Sequence, residues 1–261
     1  MFDFLLYPVS AILWFWHTVF AGPFGPASGL TWVLAVVFLV ATVRALLIRP
    51  ALGQLRSARR TRELAPELAK LRKRHARDRQ RLGQEMQKLY AKHGISPLGG
   101  CLPALLQLPV FLSLYWVLRD FTPGATSNHV FDRAGVDSFL HADVFGARLG
   151  NWIAQPADQL VAAGTDHGHM LAVGLPLMLL AGVATFLTMR ASLRRNPPAD
   201  ERMAGVTRVM TYLAPLGVLV SGLFFPVPLA LLLYFLTTNL WTLAQQHVLL
   251  GVVEREAQAQ R

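Results

Sequence analysis

Long apolar runs alternate with strongly charged stretches along this chain. Residues 30–49, LTWVLAVVFLVATVRALLIR, are apolar throughout except for Arg44 and the terminal Arg49. A run of about 20 such residues matches the ~30 Å hydrocarbon core of a bilayer at about 1.5 Å of helix per residue. Residues 101–118, 169–189, 209–225 and 229–250 repeat the pattern, with Pro103 and Pro109 inside the first of these and Pro176 inside the second. Prolines persist in membrane helices when packed neighbours satisfy the freed carbonyls. The five runs predict an all-α polytopic membrane protein with five transmembrane helices. Residues 4–20 are shorter, and Asp3, Tyr7, Ser10, Trp14 and His17 recur along one helical stripe. That spacing predicts an amphipathic helix lying in the interface, followed by a turn up to residue 29. A sixth span and a removed leader are the alternatives, and the absence of a basic start beside Asp3 argues against the leader.

Between the first two runs the character reverses. Residues 49–92 hold 14 of the 25 Lys and Arg against four acids. Leu64, Leu68 and Leu71 mark one helical face, and Leu82, Met86, Leu89 and Tyr90 a second, which predicts a helical hairpin bent at residues 75–78. Pro66 suits a helix start and Gly94 a stop. The chain therefore divides as a single domain into 1–29 (interfacial helix and turn), 30–49 (span one), 50–100 (basic hairpin), 101–118 (span two) and 119–168 (polar loop). Then follow 169–189 (span three), 190–208 (basic loop), 209–225 (span four), 229–250 (span five) and the tail 251–261. In the polar loop, Phe131, Phe139, Phe145 and Trp152 suggest contact with the interface.

Composition narrows the class. The chain is 53% hydrophobic and 15% charged, too apolar for a soluble enzyme. Its net charge of +10 matters through its placement. The two Arg-rich segments at 49–100 and 190–208 belong in the cytoplasm by the positive-inside rule, and residues 1–29 contain no Lys or Arg. This puts the N-terminus outside and the C-terminus inside a cell membrane. The basic hairpin favours anionic lipids and phosphate-rich surfaces, without any base-reading module. A lone Cys101 excludes an intrachain disulfide and a thiolate metal cluster.

Polar groups at depth then carry the functional question. Arg44 lies five residues from Arg49, close enough to snorkel, yet it can equally mark a buried site. Tyr234, Thr238, Trp241 and Gln245 fall on one helical stripe of the fifth span, with Thr237 and Asn239 flanking it, and Gln107 is the one strongly polar group deep in the second. Interhelical hydrogen bonding is the plain explanation for each alone. No span carries an acid to neutralise Arg44, so a buried guanidinium there requires water or an anionic guest.

The segment GISPLGGCLPALLQLPVFLSLYWVLRD at 94–120 resembles the signature of the YidC/Oxa/Alb family of membrane-protein insertases. The likeness extends back through VRALLIRP and LAPELAKLRKRH and forward to FFPVPLALLLYFLTTNLWTLAQQ, nearly the whole chain. The resemblance implies five core spans and a cytoplasmic hairpin. It further implies insertion and folding of nascent membrane proteins through a hydrated groove open to lipid and cytoplasm, in contact with the ribosome and the Sec translocon. By position it places Arg44 at the family's first-span arginine, Gln107 in the groove, and Tyr234 and Phe235 near passing substrate; Thr238 and Asn239 join them on the stripe. No cofactor, metal or catalytic residue is expected. Ser221 has no base for an intramembrane protease, Asp166, His167 and His169 read as a solvated loop cluster, and no inverted repeat suggests a transporter. A structural assembly factor without insertion activity of its own is the alternative function.

Overall fold

The computed structural model describes residues 3–75, 78–94, 102–195 and 201–259. The Pro-Leu-Gly-Gly-Cys stretch, with Cys101, lies outside the described residues. Helix α1 (Asp3–Phe24) turns through Gly25 at φ 86° into α2 (Gly29–Leu46), so each is longer or shorter than its apolar run. α2 stops at Leu46, which puts Arg44 in its last turn. The chain resumes at once as α3 (Ile48–Glu63), α4 (Ala65–Arg74) and α5 (Arg79–Lys92). The basic segment thus contains three helices. Leu64 interrupts the first two, and Pro66 sits in the opening turn of α4, where a missing N–H costs nothing. Leu64 and Leu68 of that junction pack on Met86, Leu89 and Tyr90 of α5.

α6 (Leu102–Arg119) leads into a cap, residues 120–166. The cap holds β1 (Ser127–Asn128) paired antiparallel with β2 (Phe131–Asp132), then α7 (Arg133–His141). β3 (Asp143–Val144) pairs with β4 (Ala147–Arg148), and α8 (Ala157–Ala162) closes it. Three long helices complete the chain: α9 (His167–Arg195), α10 (Glu201–Phe224) and α11 (Leu229–Gln258). Arg190 and Arg194 therefore continue α9, and Arg208 belongs to α10. Among the described residues four helices are long and apolar enough to cross a membrane: α1, α2, α9 and α10.

α11 packs on α9, α2, α3 and α6; α1 packs on both α2 and α6; and α10 leans on α9. The cap is fused to one end of this bundle by its own core. Phe131 and Phe139 are not interfacial. Both are fully buried around Trp32 of α2, with ring centres 5.4 Å and 4.8 Å from it, and Phe121 joins them. Short strands around one tryptophan hide two loop aromatics that a polar surrounding sequence had suggested were outside. Ser138 donates to the Pro26 carbonyl at 2.6 Å and accepts from Trp32 Nε1 at 3.0 Å, while His17 Nε2 reaches Pro26 O at 3.0 Å. The free N–H groups at the start of α11 are satisfied by cap carbonyls, Leu229 by Asn151 and Ala230 by Leu149. α1 follows the cap along much of its length. Tyr7 meets His129 edge-on at 5.4 Å, Val130 N–H donates to Ser10 Oγ, and His17 touches Phe131.

Inside the cap Arg148 is a strut. Its Nε donates to Ala163 O at 2.9 Å and its Nη1 to His141 O, tying β4 to the ends of α7 and α8. Arg148→Ala removes charged donors from the part-buried Ala163 carbonyl and the exposed His141 carbonyl, a loss of about 1–2 kcal/mol. Hydrogen exchange is expected to quicken across residues 141–149 and not in α9 or α10.

At the far end α3 is fastened to α11. Arg56 donates through Nε and Nη2 to both carboxylate oxygens of Glu256, at 3.0 Å and 2.8 Å. Arg59 Nη1 donates to Val253 O at 3.1 Å.

Candidate functional site

Packing changes character halfway along the bundle. On the cap side, Trp32, Ala35, Val36, Leu39 and Val40 of α2 are buried, as are Leu114, Val117 and Leu118 of α6 and Leu229–Leu232 of α11. Beyond Val40, residues 41–44 of α2 are only half-buried; so are Phe111 and Gln107 of α6 and residues 235–239 of α11. Three helices that are fully covered near the cap are thus less fully covered toward the other end. Tyr234, buried, marks the boundary.

At that boundary the polar groups converge. Gln107, on α6, donates its amide to the Tyr234 hydroxyl on α11, across 127 positions of sequence. The Arg44 guanidinium, on α2, lies within electrostatic reach of the same hydroxyl. Arg44 Nε is buried and has no hydrogen-bond partner among the described residues, and Thr238 lies beside the Tyr234 hydroxyl. No carboxylate pairs with Arg44 there either. Its position in the last turn of α2 offsets part of the cost, because the carbonyl end of a helix favours a cation by roughly 0.3–1 kcal/mol. The remainder is the cost of holding a half-buried charge without an acidic partner.

Arg44, Gln107, Tyr234 and Thr238 thus share one neighbourhood contributed by three helices. Phe235 stands at its edge, 5.2 Å in ring separation from Phe111, which also lies 6.2 Å from Tyr234. Phe111 escaped the sequence reading. It is one helical turn past Gln107 on the same face of α6, and that spacing was the available signal.

Thr237, Asn239, Trp241 and Thr242 of α11 bond within their own helix. Asn239 Nδ2 donates to Phe235 O at 2.9 Å, Thr237 to Leu233 O at 2.8 Å and Thr242 to Thr238 O at 2.8 Å. Trp241 Nε1 donates to Gln245 Oε1 at 2.9 Å, one turn along. Side chains that return to the helix's own carbonyls or neighbours carry no cross-helix glue. They make that face of α11 wettable without holding a partner. The loop pair at Asp166 and His169 is local: His169 N–H and Nδ1 bond the Asp166 carboxylate at 3.0 Å and 2.8 Å. Those hydrogen bonds hold the Asp166 carboxyl below its usual range. Among the described residues no group of three or more His, Cys, Asp or Glu is placed to hold a metal ion.

Residues 24–256 match the family model described as the 60Kd inner membrane protein. The membrane protein insertase YidC of Mycolicibacterium paratuberculosis is 43% identical, over 99% of this chain and 78% of the relative. That of Mycobacterium tuberculosis (strain ATCC 25618 / H37Rv) is 42% identical over 99% and 75%. The one from Streptomyces avermitilis is 33% identical over 94% of this chain and 57% of its own length.

Proposed function

The chain belongs to the 60Kd inner membrane protein family, and from that premise we propose that it is a membrane protein insertase, working through the half-open polar face between α2, α6 and α11. The observation that carries this reading is Arg44, a half-buried cation whose Nε has no hydrogen-bond partner among the described residues, beside the Gln107–Tyr234 contact. In this reading α2, α6, α9, α10 and α11 cross the plasma membrane, α1 lies in the outer interface under the cap, and the α4–α5 pair is a cytoplasmic hairpin. The N-terminus is outside and the C-terminus inside.

Water enters from the cytoplasmic side as far as Arg44 and Thr238, and the cap-side core stops it. A client's short polar tail, drawn by the Arg44 charge, needs to shed its water only across the remaining hydrocarbon. The barrier falls because each polar group transferred unpaired costs a few kcal/mol. Gln107 holds Tyr234 in place, Phe111 and Phe235 give the apolar part of the client a flat aromatic edge, and Asn239 keeps the cytoplasmic stretch of α11 wet. The client's hydrophobic segment then moves sideways into lipid, where its burial drives the step. No covalent bond is made or broken, and the residues form no catalytic or cofactor site. The basic α3–α5 segment receives nascent membrane proteins from the ribosome, alone or beside the Sec translocon, and rests on anionic lipid.

Reconstitution in otherwise protein-free liposomes tests the reading. A single-span client with a short acidic tail, synthesised in the presence of these vesicles, is expected to become protected from external protease. Absence of protection, with the protein folded in the vesicles, would favour an assembly factor that cannot insert by itself. Removing residues 66–90 is expected to abolish protection while the remaining helices stay in the membrane; undiminished protection would make the hairpin dispensable.

A further inference from the structure

The turn between β3 and β4 carries a contradiction. Phe145 and Gly146 occupy its two central positions, both in the left-handed region, at φ 50° and 81°. A two-residue turn of that kind suits Asn or Gly, and a bulky aromatic is an outlier there. Phe145 gains nothing from the protein in return, for it is 88% exposed, whereas Phe131 and Phe139 of the same cap are 1% exposed. Strain of this sort persists only where the surrounding structure holds it, and it marks a position as a candidate for function.

The surroundings say which function. A Cβ built on Gly29, the first residue of α2, would fall 1.7 Å from the Asp143 carbonyl oxygen, so β3 is pressed against the start of that helix. A Cβ on Gly146 would fall 2.5 Å from the ring of His169, at the start of α9. The turn is clamped on both sides by the opening residues of two helices long and apolar enough to cross a membrane. Leu30 and Leu171, near those two helix starts, are exposed hydrophobics, as is Phe24 at the end of α1.

We infer that Phe145 is a lipid anchor: the tip of the β3–β4 turn, held rigid between the first turns of α2 and α9, places its ring at the boundary between headgroups and acyl chains and seats the cap on the bilayer. Apolar aromatic groups are favoured at that depth. The inference rests on α2 and α9 crossing the membrane, and not on what the protein inserts.

Label depth tests it. In full-length protein with Cys101→Ser, Phe145→Cys is spin-labelled and reconstituted in vesicles of phosphatidylcholine and phosphatidylglycerol. Arg133→Cys on α7, where the side chain is 76% exposed, serves as the solvent-facing reference. Oxygen, which concentrates in lipid, is expected to relax the label at 145 more than a water-soluble nickel chelate does, with the order reversed at 133. Nickel reaching 145 as readily as 133 would overturn the inference. So would shielding of 145 from both reagents, which signals a protein contact. Both labelled proteins need only retain their helical circular dichroism, so loss of insertion activity leaves the depth measurement intact.

Discussion

Arg44→Ala is expected to abolish insertion of single-span clients with acidic tails, while Arg44→Lys retains it. The argument is one of charge. The Arg44 Nε has no hydrogen-bond partner among the described residues and no carboxylate opposes the group, so its contribution is the field it presents, not a fork of bonds that only a guanidinium can make. A lysine at the end of α2 preserves that field and the favourable interaction with the helix's carbonyl end. Alanine removes both. A loss of at least about tenfold in insertion rate corresponds to ~1.4 kcal/mol of barrier, a small share of what one stranded charge commands in hydrocarbon. Protease protection of a neutral-tailed client should change little in the same vesicles. Equal insertion of the acidic client by the alanine variant, at equal protein level, would remove the charge from the mechanism.

The largest stability effect is expected at Trp32. Its ring is fully buried where α1, α2 and the cap meet, 4.2 Å from His17 and packed against Phe121, Phe131 and Phe139. Trp32→Ala leaves a cavity bounded by elements too constrained to collapse, at a cost of about 3–5 kcal/mol. Trp32→Phe keeps most of the packing and loses the Nε1 bond to Ser138, whose hydroxyl retains the Pro26 carbonyl. That variant should cost only about 1 kcal/mol. Unfolding midpoints in detergent separate the two, and similar shifts for both would mean that the hydrogen bond, not the packing, holds the cap to α2.

The long helices were legible because continuous apolarity is a signal that survives any tertiary context, and the membrane-protein class follows from it. Their ends were less so. The basic residues after 189 read as a loop, yet Arg190 and Arg194 extend α9, since a helix leaving the apolar layer meets no reason to stop in water. The cap was opaque for the opposite reason. Its strands are two residues long, too short for any alternation to register, and Phe131 and Phe139 are buried by partners in α2 that no local pattern could nominate. At the candidate site, the stripe of α11 was visible in its spacing, and the family resemblance pointed to Arg44 and Gln107. What spacing could not supply is which helices face each other. Gln107 and Tyr234 become partners only once α6 lies on α11, and that contact also separates Thr238, which faces the site, from Asn239, which bonds its own helix.

The pair between Arg56 and Glu256 joins α3, the first of the basic helices, to the far end of α11. Both side chains are well exposed, 47% and 41%, so the pair adds little to folding and serves to set an angle. Arg56 holds the Glu256 carboxyl below its ordinary range, so the link is intact above the unfolded carboxylate's value and weakens only as acid titrates through that lowered one. Ionic strength reaches it more easily, with screening over about 8 Å at physiological salt. The seam between α3 and α11 is therefore one whose hold the surrounding electrolyte adjusts.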